Sequence, residues 1–171
     1  MSVIVNMEAA PTEPQAVDYR WDADTDILTA TVRDTCAGDG MSGSVEIEGA
    51  DGSWLILDVR GGRIAAVEVA VWPEVKNVGT LAPPAEPPAE PLAAVATIPA
   101  RASERGIVSV EVDTRLTAEA DAGERTIHFR MGNPRVTSVV HAAQDLLLDL
   151  DERRHLVGVW MLNVPPFPSD Q

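Results

Sequence analysis

Several things are scarce in this chain, and each scarcity closes off a class of function. Cysteine occurs once in 171 residues, at Cys36, so no internal disulfide can form and nothing marks an oxidising compartment. Cys36 lies in a loop of Gly, Asp and Ser with no His near it in sequence, which reads as a solvent-facing thiol. Positive charge is sparse: 13 Lys and Arg stand against 27 Asp and Glu, for a formal net charge of −14. A surface this acidic repels phosphate backbones, and no cluster of Lys and Arg offers a local exception. The sequence therefore argues against nucleic acid as a partner, and against electrostatic docking to an anionic membrane. Basic proteins and cationic surfaces remain compatible with it, although acidity also serves solubility alone. Long apolar runs are missing, so no segment approaches bilayer-spanning length and no direct membrane insertion is expected. Met1 to Glu8 lacks the basic region and apolar run of a signal peptide, and the expected location is cytoplasmic. Aromatics are only 4% of residues, so the core must rest on Val, Leu, Ile and Ala.

What the chain does have is a pattern stated twice. Leu55-Ile56-Leu57-Asp58-Val59, a polar turn and Ile64-Ala65-Ala66-Val67-Glu68-Val69 form one block. Leu146-Leu147-Leu148-Asp149-Leu150, a polar turn and Leu156-Val157-Gly158-Val159-Trp160-Met161 form another. A proline follows each block, Pro73 and Pro165. Self-similarity on this scale predicts two related modules on one chain.

Residues 1–16 read as an N-terminal arm, loose over 8–16 where Ala, Pro and Glu dominate. Residues 17–77 read as the first β module. Val17, Tyr19 and Trp21 alternate with Asp18, Arg20 and Asp22, the period of a half-buried strand, and Ile27 to Val32 completes a hairpin. Ser44 to Glu48 alternates again. Trp54 to Val59 and Arg63 to Trp72 make a second hairpin, where Gly61-Gly62 supplies the positive φ angles of a tight turn. Residues 78–106 form a linker with five prolines in Pro83–Pro91, a density that forbids helix and central strand and favours polyproline II. The second module, 107–165, starts with a polar, β-branched strand from Val108 to Glu119. It continues through Arg125 to Met131, Val136 to Val140, Leu146 to Leu150 and Leu156 to Val164. Residues 166–171 are a tail. No segment of a dozen residues shows helical periodicity. The expected fold is all-β, with about five strands per module, the two packed as a pseudo-dimeric sandwich or barrel because each small sheet needs its apolar face covered.

Trp21-Asp22-Ala23-Asp24-Thr25-Asp26-Ile27-Leu28 resembles the opening of the short bacterial DUF2283 family: an aromatic-Asp pair, a carboxylate-rich turn and a strand. The block from Leu55 to Val69 resembles the family's second half, as do Leu148-Asp149-Leu150-Asp151-Glu152 and Leu156-Val157-Gly158-Val159. The strand-Asp-turn-Gly-strand pattern has a fainter similarity to PRC-barrel modules. The resemblance implies a small β-rich module; the family has no established activity, so no catalytic residue is carried over.

The candidate constellations reduce to structure. Asp22, Asp24 and Asp26 start like a calcium loop, but Ile27 stands where a sharp-turn Gly belongs and Arg33 where the bidentate Glu belongs. Gly38-Asp39-Gly40-Met41-Ser42-Gly43 spells a dinucleotide fingerprint without the helix that must follow it, and reads as a flexible loop. His128, His141 and His155 lack zinc-pair spacing. Asp58 and Asp149 occupy equivalent positions and read as turn-capping residues. No catalytic residue, cofactor or metal site is expected.

One strand differs between copies. Aligning Ile64 with Leu156 sets Glu68 opposite Trp160, so the second copy is apolar on both strand faces. Trp160, Leu162, Leu147 and Phe167 are therefore the expected partner-binding residues. The expectation is a non-catalytic protein–protein interaction or assembly module, an accessory subunit of a larger complex, with homo-oligomer formation left open. The competing expectation is a small-molecule binder or hydrolase using carboxylates, such as Asp58 and Asp149, in a cleft between the modules.

Overall fold

A computed structural model describes residues 3–9, 14–35, 38–84, 94–99 and 107–168. Its first sheet has the order β2 (Val17–Asp22), β3 (Ile27–Val32), β6 (Arg63–Val71), β5 (Trp54–Arg60), β4 (Ser42–Gly49), β9 (Ile107–Thr114). Its second has the order β12 (Ser138–Ala143), β13 (Leu146–Leu150), β14 (Leu156–Met161), β11 (Ile127–Met131), β10 (Leu116–Ala120), β7 (Val75–Asn77). A two-stranded ribbon pairs β1 (Asn6–Ala9) with β8 (Ala94–Thr97). The fold is all-β among the described residues, and both large sheets are open, with two edges each, so it is not a closed barrel.

The duplication is visible in strand order and register. Strands β2-β3-β6-β5-β4 repeat as β10-β11-β14-β13-β12. Ile56 faces Glu68 where Leu147 faces Trp160, and Asp58 faces Ala66 where Asp149 faces Gly158. A bulge follows both Asp58 and Asp149. Bulges re-aim a strand, so its recurrence at one place marks a shared backbone plan.

Each copy lends one strand to the other copy's sheet. β7 follows the first copy but pairs in parallel with β10, and β9 precedes the second copy but pairs in parallel with β4. The continuous strand expected from Val108 to Glu119 is thus two strands, with the chain crossing between sheets at Arg115. Alternation conceals the crossing because both sheets face one core. Val110, Val112, Leu116, Ala118 and Ala120 are all buried, and half-buried Thr114 carries the period of two between them.

That core joins Leu28, Ile47, Leu55, Leu57, Val67 and Val69 of the first sheet to Leu116, Phe129, Leu146, Leu148, Val159 and Met161 of the second. Each such side chain contributes about 1.5–3 kcal/mol of transfer free energy. Tyr19 links the layers as well, its hydroxyl donating to the Leu162 carbonyl at 2.7 Å. Burial, then the nearby Asp145 charge, pushes the Tyr19 pKa well up, so the phenol remains a donor.

The arm and linker also hold strands the sequence did not suggest, because β1 and β8 are four residues each and gain their structure from pairing with one another. Most of the proline stretch, 85–91, and Cys36 lie outside the described residues. The Gly38–Gly43 loop, expected to be flexible, is instead stapled to the Gly61-Gly62 turn. Gly38 N donates to the Gly61 carbonyl at 3.0 Å, and Ile98 N donates to that of Gly62 at 2.8 Å. Gly61 and Gly62 have φ of 53° and 82°, as a two-residue hairpin turn requires. The equivalent turn of the second copy receives the arm, with Val5 N donating to the Arg154 carbonyl at 2.9 Å.

A Cβ on Gly40 would stand 2.5 Å from both Gly62 Cα and the Ile98 carbonyl oxygen. Gly40→Ala should therefore cost about 2 kcal/mol or more in urea unfolding. Gly52→Ala, where φ is 88° but space is open, should cost only about 1 kcal/mol. Equal, small losses at both sites would contradict the staple.

Asp151 caps the second copy's turn. Partial burial raises its pKa, but the backbone amides of His155 and Arg153 and the His155 side chain outweigh this and hold it below the usual carboxylate value. A carboxylate with a lower pKa folded than unfolded stabilises the fold above its unfolded value, near 3.9, and loses that contribution as pH falls through the folded value. Asp151→Asn should flatten the acid limb of a stability–pH profile below about pH 4; an unchanged limb would remove Asp151 from it.

Candidate functional site

Two constellations emerge from this plan. The first lies on the outer face of the second sheet. Asp149 sits between Leu148 and Leu150, which enter the core, so alternation turns its carboxylate outward. There Asp149 Oδ2 lies 2.5 Å from His128 Nε2, and Oδ1 accepts from Trp160 Nε1 at 2.9 Å. His128 and Trp160 are paired across β11 and β14, and their rings stack at 3.8 Å with planes 9° apart. Gly158 makes the room, since a Cβ there would overlap the Asp149 carboxylate. The three side chains are 2–4% exposed and satisfy one another. The first copy places Thr29, Asp58 and Glu68 at these positions and builds nothing comparable. Its Asp58 is half-exposed, 3.5 Å from Arg60.

The second constellation is a cleft of about 610 Å³ beside the segment that crosses from β6 to β7. Trp21 closes one side at the end of β2, and Trp72, just after β6, stacks on it at 5.7 Å and 19°. Phe167 meets Trp21 edge-on at 5.1 Å, and Trp72 tilts against the core ring Phe129 at 5.8 Å. Val75, Ile127, Pro165 and Pro166 complete the apolar wall, and Asp26 and Glu124 bring carboxylates. The chain's own proline segment is already held here, since Trp21 Nε1 donates to the Pro165 carbonyl at 2.9 Å. Trp72 Nε1 donates to the Asp26 carbonyl at 2.7 Å. Counting on from the shared register sets Pro73 opposite Pro165 and Val75 opposite Phe167. The tail thus occupies, beside β2, the place β7 takes beside β10. Pro165, Pro166 and Pro168 have no amide hydrogen to donate to a ladder, and the Trp21 indole supplies a donor instead.

A third hollow, about 860 Å³, is lined by Lys76, Arg115 and Arg130 together with Asp51, Glu74 and Glu119. Balanced charge gives it no preference for either sign. Among the described residues, no group of three or more His, Cys, Asp or Glu is placed to hold a metal. No helix among them is long and apolar enough to cross a membrane.

The four residues expected to form one partner patch are divided. Phe167, 42% exposed, lies in the aromatic cleft. Trp160 and Leu147 are buried on the outer face of the second sheet, and Leu162 turns its carbonyl to Tyr19. Asp58 and Asp149 are strand residues on the outer faces of different sheets, so they cap no turn and do not converge in a cleft. Asp22 does cap its turn, accepting from Asp24 N at 3.0 Å. His128 and Asp149, 21 residues apart, carried no spacing signal. The cleft left one, in Trp21 beside a carboxylate-rich turn and Trp72 beside Pro73. No protein-family model and no curated protein matches the chain.

Asp149→Ala leaves two buried donors unpaired and should cost about 3 kcal/mol by urea denaturation, whereas Asp58→Ala should change stability by less than about 0.5 kcal/mol. Similar losses at both positions would show that the outer-face cluster carries no special stability.

Proposed function

We propose that the protein is a non-catalytic interaction module that binds another protein through the aromatic cleft. One observation carries the reading: the cleft already holds the chain's own Pro165–Phe167 segment, gripped by an indole N–H donating to a proline carbonyl. Aromatic-lined grooves take proline-rich segments because such segments are pre-extended and lose little entropy on docking. The space left beside Pro165–Phe167 suits a few residues of a partner rather than a domain face. The DUF2283 resemblance belongs to the same proposal: it supplies the duplicated β unit and no chemistry. The carboxylate-cleft alternative finds less support, because Asp58 and Asp149 face away from each other on separate sheets.

Val75 and Phe167 are exposed at 39% and 42% and can be changed without opening the core. Val75→Glu and Phe167→Ala should melt within a few degrees of wild type. A protein that co-purifies with wild type from native cells should be lost with both variants. If everything retained by wild type is also retained by both, the cleft is not the interaction site.

A further inference from the structure

The cleft's polar inventory is one-sided, and this names its ligand more closely. Among the side chains lining it, the only hydrogen-bond donors are the Trp21 and Trp72 indoles, and both are committed to carbonyls. What remains is ring surface and acceptors, the carboxylates of Asp26 and Glu124. Both residues are exposed, and neither makes an ion pair or side-chain hydrogen bond with a described residue. Among the described residues, no Lys or Arg lines the cleft. Its side chains offer no uncommitted donor to an anion or a carbonyl-rich ligand, whereas ring surface and free carboxylates favour a cation. The net charge of −14 reinforces the preference at long range.

We propose that the cleft binds an arginine side chain presented by a proline-rich segment of a partner protein, a refinement that rests on the interaction reading above. Arginine fits better than lysine because its planar guanidinium stacks on indole faces while its forked donors pair with carboxylates. Lysine offers only a compact, strongly hydrated charge. Asp26 and Glu124 have φ of 59° and 55°, and both lie in the turns that close the β2–β3 and β10–β11 hairpins. One carboxylate thus comes from each copy, from non-equivalent positions of the two turns.

The test uses the full chain, with tryptophan emission and calorimetry as readouts. The probes are Pro-Pro-Arg-Pro-Pro and the same peptide with Lys or Gln at the centre. The Arg peptide should bind most tightly and weaken with added salt, with the Gln peptide weaker by about tenfold. Asp26→Asn with Glu124→Gln, isosteric changes that Asn and Gln backbones accept, should remove about the same factor while the melting temperature stays put. Equal affinity for Arg and Gln peptides would overturn the cation and leave the proline reading standing. No binding by any peptide up to about 1 mM, with a partner still lost in Val75→Glu, would sink this refinement alone. No binding and no cleft-dependent partner would sink both. Concentration-dependent self-association abolished by Phe167→Ala would assign the cleft to a second copy, against the proposal.

Discussion

The structure depends on one constraint: each sheet is too small to bury its own apolar face, and its main cover among the described residues is the other sheet. Leu55, Leu57 and Val67 on one side and Leu146, Leu148 and Val159 on the other form a single apolar cluster. Inward positions are consequently held to a narrow set of aliphatic residues in both copies. Outward positions answer to nothing shared, and there the copies differ most. Across the paired strands, inward Leu57 and Val67 match Leu148 and Val159, while outward Glu68 and Ala66 stand against Trp160 and Gly158.

The exchange of strands follows from the same constraint. A sheet of five strands leaves two edges whose amides and carbonyls seek partners. β9 seals the β4 edge of the first sheet, and β7 seals the β10 edge of the second. Each does so on its way between sheets, so one segment both connects the layers and closes an edge. The β2 edge is the place where the device changes. There the chain supplies prolines in place of a strand, and the outward residues Asp18, Arg20 and Asp22 keep the remaining edge charged and soluble.

How much of this was legible in the sequence depended on whether a feature was local. The hairpins closed by Asp22–Asp26 and by Gly61-Gly62 were readable because turn chemistry is written in adjacent residues. The repeat was readable because Asp58 and Asp149 recur within matching apolar strings. The crossing at Arg115 was not, since a period of two is preserved when both sheets share one core. Nor was the meeting of His128 with Asp149, which register alone creates from residues on three strands. The glycines at 38, 40, 61 and 62 looked like freedom and turn out to be proximity: two turns lie so close that no side chain fits between them.

The aromatic cleft shows what a duplicated fold makes available at its pseudo-axis. Around any such axis, equivalent residues face one another, here Val75 with Phe167 and Trp21 with Ala120. Were the two copies identical, the site would present the same groups twice and could not fix a ligand's direction. The substitutions break that tie on one side only: Trp21 answers Ala120, Trp72 answers Val164, and the proline tail answers the β7 strand. A ligand of the kind proposed would meet the Trp21 and Trp72 rings of the first copy, a carboxylate from each, and Val75 of the β7 strand. The lining takes one carboxylate from each copy while both of its indoles come from the first, which gives the cleft polarity without disturbing the apolar layer beneath it. The proposed function thus falls where the shared core imposes no veto.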